Sequence, residues 1–334
     1  MFYIPNIPYA VYLAIKAKSL LFFTTTNPVV KQSGNGSESK FETINLIPNK
    51  YKPKTKLLNC NNPILYYLES FRESQFSYPV ILKPNLGFRG LLVKLVNSEK
   101  EFVEYVTNYG TVDLLLQEYI PYKNECGIFY YRLPNKAKGV VSSVTLKTFP
   151  TLTGDGFSTL KELIYKNERT KKYYELFAKV NASQINCILK KGEEKTLTVI
   201  GNHSKGTQFV NGNNLITKGL MEQIDAIMQQ IPNWYYGRLD IKYNSFNELL
   251  KGENLKIIEL NGIISEPTHI YDALTISYFN ALKEIRKHWR ILFEIAQLNR
   301  KVNHISTGSF SSFLKSLLTI KKQLKILKKM KSTV

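Results

Sequence analysis

The sequence predicts an α+β fold, and three observations lead to this class. The chain has 334 residues, of which 43% are hydrophobic and 12% aromatic, and this is enough to bury a substantial core. Short apolar runs bounded by turn residues, as in residues 78–96 and 237–262, predict strands. Residues 217–230 carry apolar side chains on one helical face, and a second helical pattern continues to about residue 299.

The charge balance points to anionic partners. The 46 Lys and Arg residues against 26 Asp and Glu residues give a formal net charge of +20. This charge favours nucleotides, nucleic acid or an anionic membrane surface, without choosing among them. Cys60, Cys126 and Cys187 show no C-x-x-C spacing, which argues against a disulfide framework or structural zinc and favours a reducing interior. No clear leader cleavage site and no apolar run of about 18 uncharged residues is present.

Residues 237–262 combine two strand-like runs with four polar side chains. One run carries Arg238 and Asp240, the other carries Glu259 and Asn261, and a turn signal separates them. Residues two apart share one face of a strand, so pairing the runs would gather all four side chains. Such a site offers oxygen ligands suited to Mg²⁺ beside a cation suited to a phosphoryl group. The alternative is a surface hairpin with solvated charges.

A glycine-containing loop lies between two apolar runs in residues 78–96. The first run ends at Lys83, and Gly87, Arg89 and Gly90 follow. Glycines let backbone N–H groups approach phosphate oxygens, and Lys83 and Arg89 would supply charge. The loop leads into another predicted strand, so it is neither a Walker nor a Rossmann pattern, and a plain hairpin is the alternative. Upstream, Lys40 opens a short predicted helix and is by itself an ordinary surface lysine.

The next apolar run ends in Gln117, Glu118, Tyr119 and Ile120, and Glu125 follows after a turn. An edge segment of this kind can hydrogen-bond an adenine through its backbone. The carboxylate after the turn can then bind ribose hydroxyls.

Other polar residues have roles that depend on their surroundings. His203 lies in a polar loop and matters only if that loop faces a site. Glu266, His269 and Asp272 form a compact group that is either a set of substrate contacts or a network fixing the loop.

The two ends of the chain have amphipathic character. Residues 1–36 are apolar but interrupted by Lys16 and Lys18, so they either lie at a membrane interface or dock on the protein's own core. Residues 301–334 contain no acidic residue, and their apolar stripe faces away from a row of lysines. This pattern is typical of a helix on an anionic membrane, or of a helix packed on its own domain with a solvated basic face. Nucleic acid is the weaker alternative because these lysines have no arginine or interleaved aromatic residue among them.

The ordered set of these motifs resembles the ATP-grasp superfamily, especially its D-alanine–D-alanine ligase and cyanophycin synthetase branches. The resemblance covers about residues 37–290, and TGDGFSTLKELIYKN is similar to a segment of cyanophycin synthetases. It implies an ATP-grasp fold whose two α+β subdomains, about 37–123 and 124–300, clamp the nucleotide. Residues 1–36 would stand in place of a full preceding domain, and 301–334 would form a C-terminal helix.

The resemblance also implies roles for individual residues. Asp240, Glu259 and Asn261 match the ligands of a pair of Mg²⁺ ions, which Mn²⁺ can replace, and Arg238 matches the catalytic arginine. The residues matching the ATP-binding positions are Lys40, Lys83, Gly87, Arg89, Gly90, Gln117, Glu118, Tyr119, Ile120 and Glu125. Candidate substrate contacts are His203, Glu266 and His269.

The activity implied is ADP-forming carboxylate–amine ligation. ATP phosphorylates a carboxylate, and an amine attacks the acylphosphate; a kinase acting on a hydroxyl and a membrane-associated nucleotide-binding protein without ligase activity are the alternatives. The usual E-x-N-x-x-P-G ending is replaced by ELNGIISEPTHIYD, so a different acceptor pocket is expected. The expected location is cytoplasmic, peripheral on the inner face of the cytoplasmic membrane, with a membrane-linked or envelope precursor as substrate.

Overall fold

The computed structural model describes residues 2–87, 90–272 and 274–332. Its helices are α1 (Ile7–Ala17), α2 (Lys40–Asn45), α3 (Ile64–Glu73), α4 (Glu99–Tyr109), α5 (Leu160–Lys166), α6 (Glu168–Lys171), α7 (Tyr174–Val180), α8 (Lys218–Met228), α9 (Phe246–Lys251), α10 (Tyr278–Lys301) and α11 (Phe310–Ser332). Its strands are β1 (Thr55–Leu58), β2 (Val80–Pro84), β3 (Lys94–Val96), β4 (Leu114–Glu118), β5 (Asn124–Tyr131), β6 (Val140–Thr148), β7 (Thr151–Thr153), β8 (Glu194–Thr196), β9 (Gln208–Asn211), β10 (Tyr236–Tyr243) and β11 (Leu255–Asn261).

The first sheet, here called sheet 1, has the antiparallel order β1-β4-β2-β3. Its inner face packs with α3 and α4 around a core that includes Phe71, Leu82 and Phe102. Successive side chains of a strand point to opposite faces, so β2 buries Val80 and Leu82 in this core. The same alternation directs Lys83 to the other face, toward the second sheet.

Sheet 2 has the antiparallel order β11-β10-β5-β6-β9. One face packs on α8 and α9 through a core that includes Ile224, Leu239 and Ile257. The opposite face lies toward sheet 1. The predicted α+β class and its two α+β subdomains are confirmed, whereas the predicted residue boundaries of the segments stay predictions.

A small lobe extends from sheet 2. It consists of the two-stranded pair β7–β8 and helices α5 to α7, packed around Leu160 and Phe177. Thr159 caps α5 and forms a capping box with Glu162.

The amino-terminal segment docks on α10. The Asn27 side chain accepts hydrogen bonds from the backbone N–H groups of Tyr235 and Tyr236 and donates one to the Tyr236 carbonyl, so it ties this segment to β10. Leu13 and Ala17 of α1 are buried in the cluster that α10 completes. One face of α1 therefore docks on the protein's own core, which is one of the two alternatives predicted for this segment.

Helix α11 contacts the amino-terminal segment near its start and the core of sheet 1 near its end. Near its start, the Ser316 hydroxyl accepts a hydrogen bond from Asn35 at 3.0 Å, and Phe313 contacts Phe23 edge to face. Near its end, Leu327 is fully buried in the core of sheet 1. Across the described ranges, no helix combines the length and the apolar character required to cross a bilayer.

Two local predictions were wrong. A strand was expected to resume at Leu91, but β3 begins only at Lys94, because Leu92 adopts a left-handed conformation with φ of 58°. The sequence TLTVI at residues 196–200 predicts a strand, but β8 ends at Thr196. The turn signal between β10 and β11 is confirmed, because Gly252 adopts a left-handed conformation with φ of 70°. The short helix α9 before it, which Ser245 caps, was not predicted.

Candidate active site

Four polar side chains lie on one face of the hairpin formed by β10 and β11. In the antiparallel register, Arg238 lies opposite Asn261 and Asp240 lies opposite Glu259. Directly opposed residues share a face, and so do residues two apart on one strand. The alternation predicted from the sequence therefore brings all four side chains together, on the face of sheet 2 that looks toward sheet 1.

Asp240 is buried between two cations. Its carboxylate accepts from Arg238 Nε at 2.9 Å and lies 3.5 Å from Lys147 Nζ. Burial raises the pKa of this carboxyl, but the charges of Arg238 and Lys147 outweigh burial and hold the pKa at about 2. Asp240 is therefore ionised at neutral pH, and both of its oxygens face cations, Oδ1 the Arg238 Nε and Oδ2 the Arg238 Nη2 and Lys147.

A second buried ion pair lies two residues along the same face. Glu125 on β5 is opposite Lys147 on β6 and also opposite Lys242 on β10. Lys147 Nζ donates to Glu125 Oε1 at 2.6 Å, and Lys242 Nζ lies 4.0 Å from Glu125 Oε2. The carboxylate predicted to bind ribose is thus held by two lysines that the sequence analysis did not include.

Two lysines reach this face from outside sheet 2. Lys83 Nζ donates to Gln117 Oε1 at 3.0 Å and to the Ile258 carbonyl at 3.5 Å, so it links sheet 1 to β11. Burial, together with the nearby charge of Lys40, lowers the pKa of Lys83 to about 7. Lys40, at the start of α2, forms an ion pair with Glu259, and burial lowers its pKa.

These side chains line a cavity of about 440 Å³ between the two sheets. The predicted site residues on its wall are Lys40, Lys83, Gly87, Gly90, Gln117, Tyr119, Ile120, Glu125, His203, Arg238, Asp240, Glu259, Asn261 and Glu266. Gly90 has a φ of 68°, a conformation that glycine adopts without strain. Arg89, also predicted here, lies outside the described residues.

Three predicted polar residues are directed elsewhere. The Glu118 side chain is exposed and accepts a hydrogen bond from the Lys54 N–H at 3.0 Å, because it follows the alternation of β4 away from the cavity. His269 is buried, with Nδ1 2.6 Å from Ser143 Oγ. Asp272 accepts hydrogen bonds from the Asn211 N–H and from Thr275. His269 and Asp272 therefore belong to a hydrogen-bond network that fixes the loop after β11.

The cavity wall also contains residues that the sequence analysis missed. They include Lys147, Lys242, Phe209, Thr268 and Tyr271. Lys147 had a detectable signal, because polar residues at 143, 145 and 147 alternate with apolar ones along the predicted strand. Phe209 and Tyr271 had none, since an aromatic residue in an apolar run is most often part of a core.

A search of solved structures finds several to which the chain is similar. The VanG D-Ala:D-Ser ligase from Enterococcus faecalis is 12% identical, with a TM-score of 0.43 over 83% of this chain and 64% of that one. D-alanine–D-alanine ligase from Bacillus anthracis is 15% identical, with a TM-score of 0.43 over 79% of this chain and 68% of that one. Carboxyaminoimidazole ribonucleotide synthase from Aspergillus clavatus, complexed with ATP, is 9% identical, with a TM-score of 0.45 over 77% of this chain and 51% of that one.

No protein-family model matches the chain, and no curated protein sequence matches it. The chain spans only 64% of the VanG ligase and about half of the synthase. The TM-scores lie below 0.5, so the roles of the residues rest on the geometry of this chain.

The donor set on β10 and β11 fits a magnesium ion. Asp240 and Glu259 supply carboxylate oxygens, and Asn261, opposite Arg238 on the same face, supplies an amide oxygen. Gly127 leaves space beside them, because a Cβ there would lie 3.4 Å from Asp240 Oδ1. Within the described ranges, no group of three or more His, Cys, Asp and Glu could hold a metal. Mg²⁺ usually takes only one or two carboxylates from the protein, and phosphate oxygens of the substrate complete its coordination shell, so this small set of oxygen ligands is sufficient.

Proposed function

We propose that the protein is an ATP-dependent ligase of the ATP-grasp type, which activates a carboxylate as an acylphosphate for attack by an amine. The observation that carries this proposal is the convergence of lysines from sheet 1 and α2 with the Arg238, Asp240, Glu259 and Asn261 set in one cavity. A site that gathers cations and carboxylates in this way suits the polyphosphate of a nucleotide with its metal.

The chain's residues would contribute mainly positioning and electrostatics. Lys83 and Lys40 lie where they can donate to phosphate oxygens, after releasing their present partners Gln117 and Glu259. Arg238 stabilises charge on the transferring phosphoryl group. Mg²⁺, held by Asp240, Glu259 and Asn261, would neutralise phosphate charge when bound.

The adenosine half of the nucleotide is assigned to residues 117–120 and Glu125. Tyr119 and Ile120 line the cavity, and Gln117 is buried and hydrogen-bonded to Thr55 as well as to Lys83. The backbone of residues 117–120 is the proposed adenine contact. Glu125, in its pairing with Lys147, is the proposed ribose contact.

Product analysis with labelled ATP tests this function. The protein is incubated with Mg²⁺, ATP and a panel of carboxylates and amines. ADP together with an amide product is the expected result. ADP with a phosphorylated hydroxyl acceptor would favour a kinase, and retention of ATP without turnover across the panel would favour a nucleotide-binding protein. Failure to bind ATP at all would overturn the proposal.

We further propose that the protein works at an anionic membrane surface, where a membrane-linked precursor would be its substrate. The support comes mainly from α1. Its outer face, formed by Ile7, Val11 and Ile15, is apolar, and these side chains are 53%, 52% and 72% exposed. A helix that is apolar on both its docked and its outward face has an unpartnered surface, which an interface of lipid headgroups and acyl chains would cover.

Basic side chains gather at the carboxyl end of α1. A groove there is lined by Lys16, Lys18, Lys136, Arg300 and Lys301, together with one acidic residue, Glu294. Residues 1–37 contain no acidic residue. This combination of apolar and cationic groups is complementary to an anionic bilayer. Helix α11 adds exposed Leu314 and Leu317, although its far end is committed to the core of sheet 1.

A further inference from the structure

Among the described residues, Glu266 is the carboxylate on the cavity wall that forms no salt bridge with a lysine or arginine. Glu125, Asp240 and Glu259 each form a salt bridge with a lysine or arginine. Glu266 Oε1 accepts from the Tyr271 hydroxyl at 2.5 Å, while its Oε2 is buried without a hydrogen-bond partner in the described ranges. One carboxylate oxygen therefore remains available to a ligand.

Aromatic rings stand beside this carboxylate. The ring of Tyr271 lies 6.3 Å from that of His203, and His203 lies 5.7 Å from Phe209, measured between centroids. All three rings line the same cavity. Burial lowers the pKa of His203, and the charge of Arg169 lowers it further, so this ring is neutral at neutral pH. Neutral aromatic faces beside a carboxylate are the surroundings that bind organic cations.

Glu266 is also next to the reaction centre. Its backbone carbonyl accepts a hydrogen bond from Arg238 Nη1 at 3.4 Å. Thr268, two residues on, is 6% exposed, and its hydroxyl has no hydrogen-bond partner in the described part of the chain. A Cβ at Gly127 would lie 3.6 Å from this hydroxyl and 3.4 Å from Asp240 Oδ1, so the Thr268 hydroxyl lies close to the phosphoryl-transfer residues.

We propose that Glu266, with Thr268 and the rings of His203 and Tyr271, forms the binding site for the primary ammonium group of the acceptor substrate. This inference rests on the proposed ligase function and names the acceptor as a primary amine bound in its protonated form. Residues 262–272, which replace the usual E-x-N-x-x-P-G ending, would then supply the carboxylate that binds the acceptor.

The chemistry of the transfer balances with Glu266 as proton acceptor. The bound ammonium passes one proton to Glu266 Oε2. The amine nitrogen then forms a bond to the acyl carbon, the bond between that carbon and the phosphate oxygen breaks, and phosphate leaves with the electron pair and takes the second proton from nitrogen. Burial raises the pKa of Glu266, which favours this proton transfer.

The probe for the site is n-propylammonium chloride, added to the full-length protein with Mg²⁺ and ATP. Binding is measured by saturation-transfer NMR, with n-propanol as the neutral comparison. Wild type is expected to bind the cation and not the alcohol. Glu266→Gln is expected to weaken cation binding roughly tenfold or more, because it removes a charged hydrogen-bond partner. The matched control is Glu253→Gln, an exposed glutamate outside the cavity, which should bind the probe as wild type does.

ATP binding separates the two proposals. If wild type fails to bind ATP, the ligase proposal itself fails. If wild type binds ATP but Glu266→Gln binds n-propylammonium as tightly as wild type, the ammonium site is overturned. Circular dichroism verifies that Glu266→Gln is folded. If it is not, Thr268→Val replaces it, and unchanged cation binding in that variant overturns the proposal in the same way.

Hydroxylamine, which is neutral at neutral pH, gives a second readout once a carboxylate substrate is known. It traps an acylphosphate as a hydroxamate without needing an ammonium site. Glu266→Gln should lose rate with propylamine by a factor at least about ten times larger than with hydroxylamine. An equal loss with both nucleophiles would show that Glu266 serves acylphosphate formation instead, and would overturn its assignment to the amine.

Discussion

Lys147 on β6 donates to Glu125 on β5 at 2.6 Å, and both side chains are buried. The same ammonium group lies 3.5 Å from Asp240. Burial lowers the pKa of Lys147, but the charges of Asp240 and Glu125 outweigh burial and leave the pKa raised. One lysine thus joins the proposed ribose carboxylate to the proposed metal carboxylate and contributes to the neutralisation of both, alongside Arg238 at Asp240 and Lys242 at Glu125.

We expect Lys147→Met to destabilise the protein by about 3 kcal/mol, because it leaves Glu125 buried without its closest cation. Urea denaturation measures the change in the free energy of unfolding. Lys190→Met, at an exposed lysine, is the control and should change stability little. Adding Glu125→Leu to Lys147→Met should recover part of the loss. Equal stabilities for Lys147→Met and wild type would show that the pair is not required.

Asp240→Asn and Glu259→Gln are expected to abolish turnover, with a fall in kcat of roughly 10² or more, because each removes a charge that the phosphoryl transfer needs. The measurement is ADP release with the acceptors found in the product screen. Glu253→Gln controls for the loss of an exposed carboxylate. Wild-type rates in both site variants would refute the assignment of the metal ligands.

The part of the site that could be predicted from sequence is the part governed by local periodicity. Arg238 and Asp240 are two residues apart on one strand, as are Glu259 and Asn261, so the alternation of a strand predicts which of them share a face. Pairing of the two runs then needs only a hairpin. The register that places Asp240 opposite Glu259 agrees with this expectation.

The residues that were missed depend on contacts between distant parts of the chain. Lys147 becomes part of the site because β6 pairs with β5 in a register that no local pattern specifies. His269 leaves the site because its ring meets Ser143, which is 126 residues away in sequence. Helix α9 was overlooked although Ser245 and Gly252 are suitable caps, because six residues are too few for a visible helical period.

ATP binding should take up close to one proton at about pH 8, through Lys83. Burial lowers the pKa of Lys83 from 10.5 to about 7, so this lysine is mostly neutral at that pH in the free protein. Phosphate charge raises its pKa again, and the proton comes from solvent. ATP affinity should therefore fall as pH rises above about 7. Calorimetry in buffers of different ionisation enthalpy measures the uptake.

The same shift predicts the effect of Lys83 on stability. Between its folded pKa of about 7 and its ordinary value of 10.5, the unfolded chain binds more protons than the folded one. The contribution of Lys83 to stability therefore rises with pH across this window. An arginine at position 83 stays charged in the free protein, so Lys83→Arg should abolish the proton uptake on ATP binding. The control Lys190→Arg should retain that uptake. ATP binding to wild type without proton uptake would contradict the lowered pKa.

Substituting the outer face of α1 tests the proposed membrane location. The triple change Ile7→Ser, Val11→Ser and Ile15→Ser is expected to reduce co-sedimentation with phosphatidylserine-containing vesicles at least about tenfold, since each apolar side chain contributes roughly 1.5–3 kcal/mol when buried. These side chains are exposed, so the fold should be unaffected. High salt should weaken the binding of wild type, because the flanking lysines and arginines contribute electrostatic attraction.

The control is the pair Val180→Ser and Ile188→Ser, which removes exposed apolar side chains of the small lobe instead. Removing residues 310–334 would be a poor test, because it takes the fully buried Leu327 from the core of sheet 1. Leu314→Ser with Leu317→Ser probes α11 without that damage. Equal sedimentation of wild type and the α1 triple variant would rule out α1 as the membrane contact. A second copy of the chain is the alternative occupant of this face. It would be indicated if wild type did not bind vesicles but formed a dimer, and if the α1 triple variant did not form that dimer.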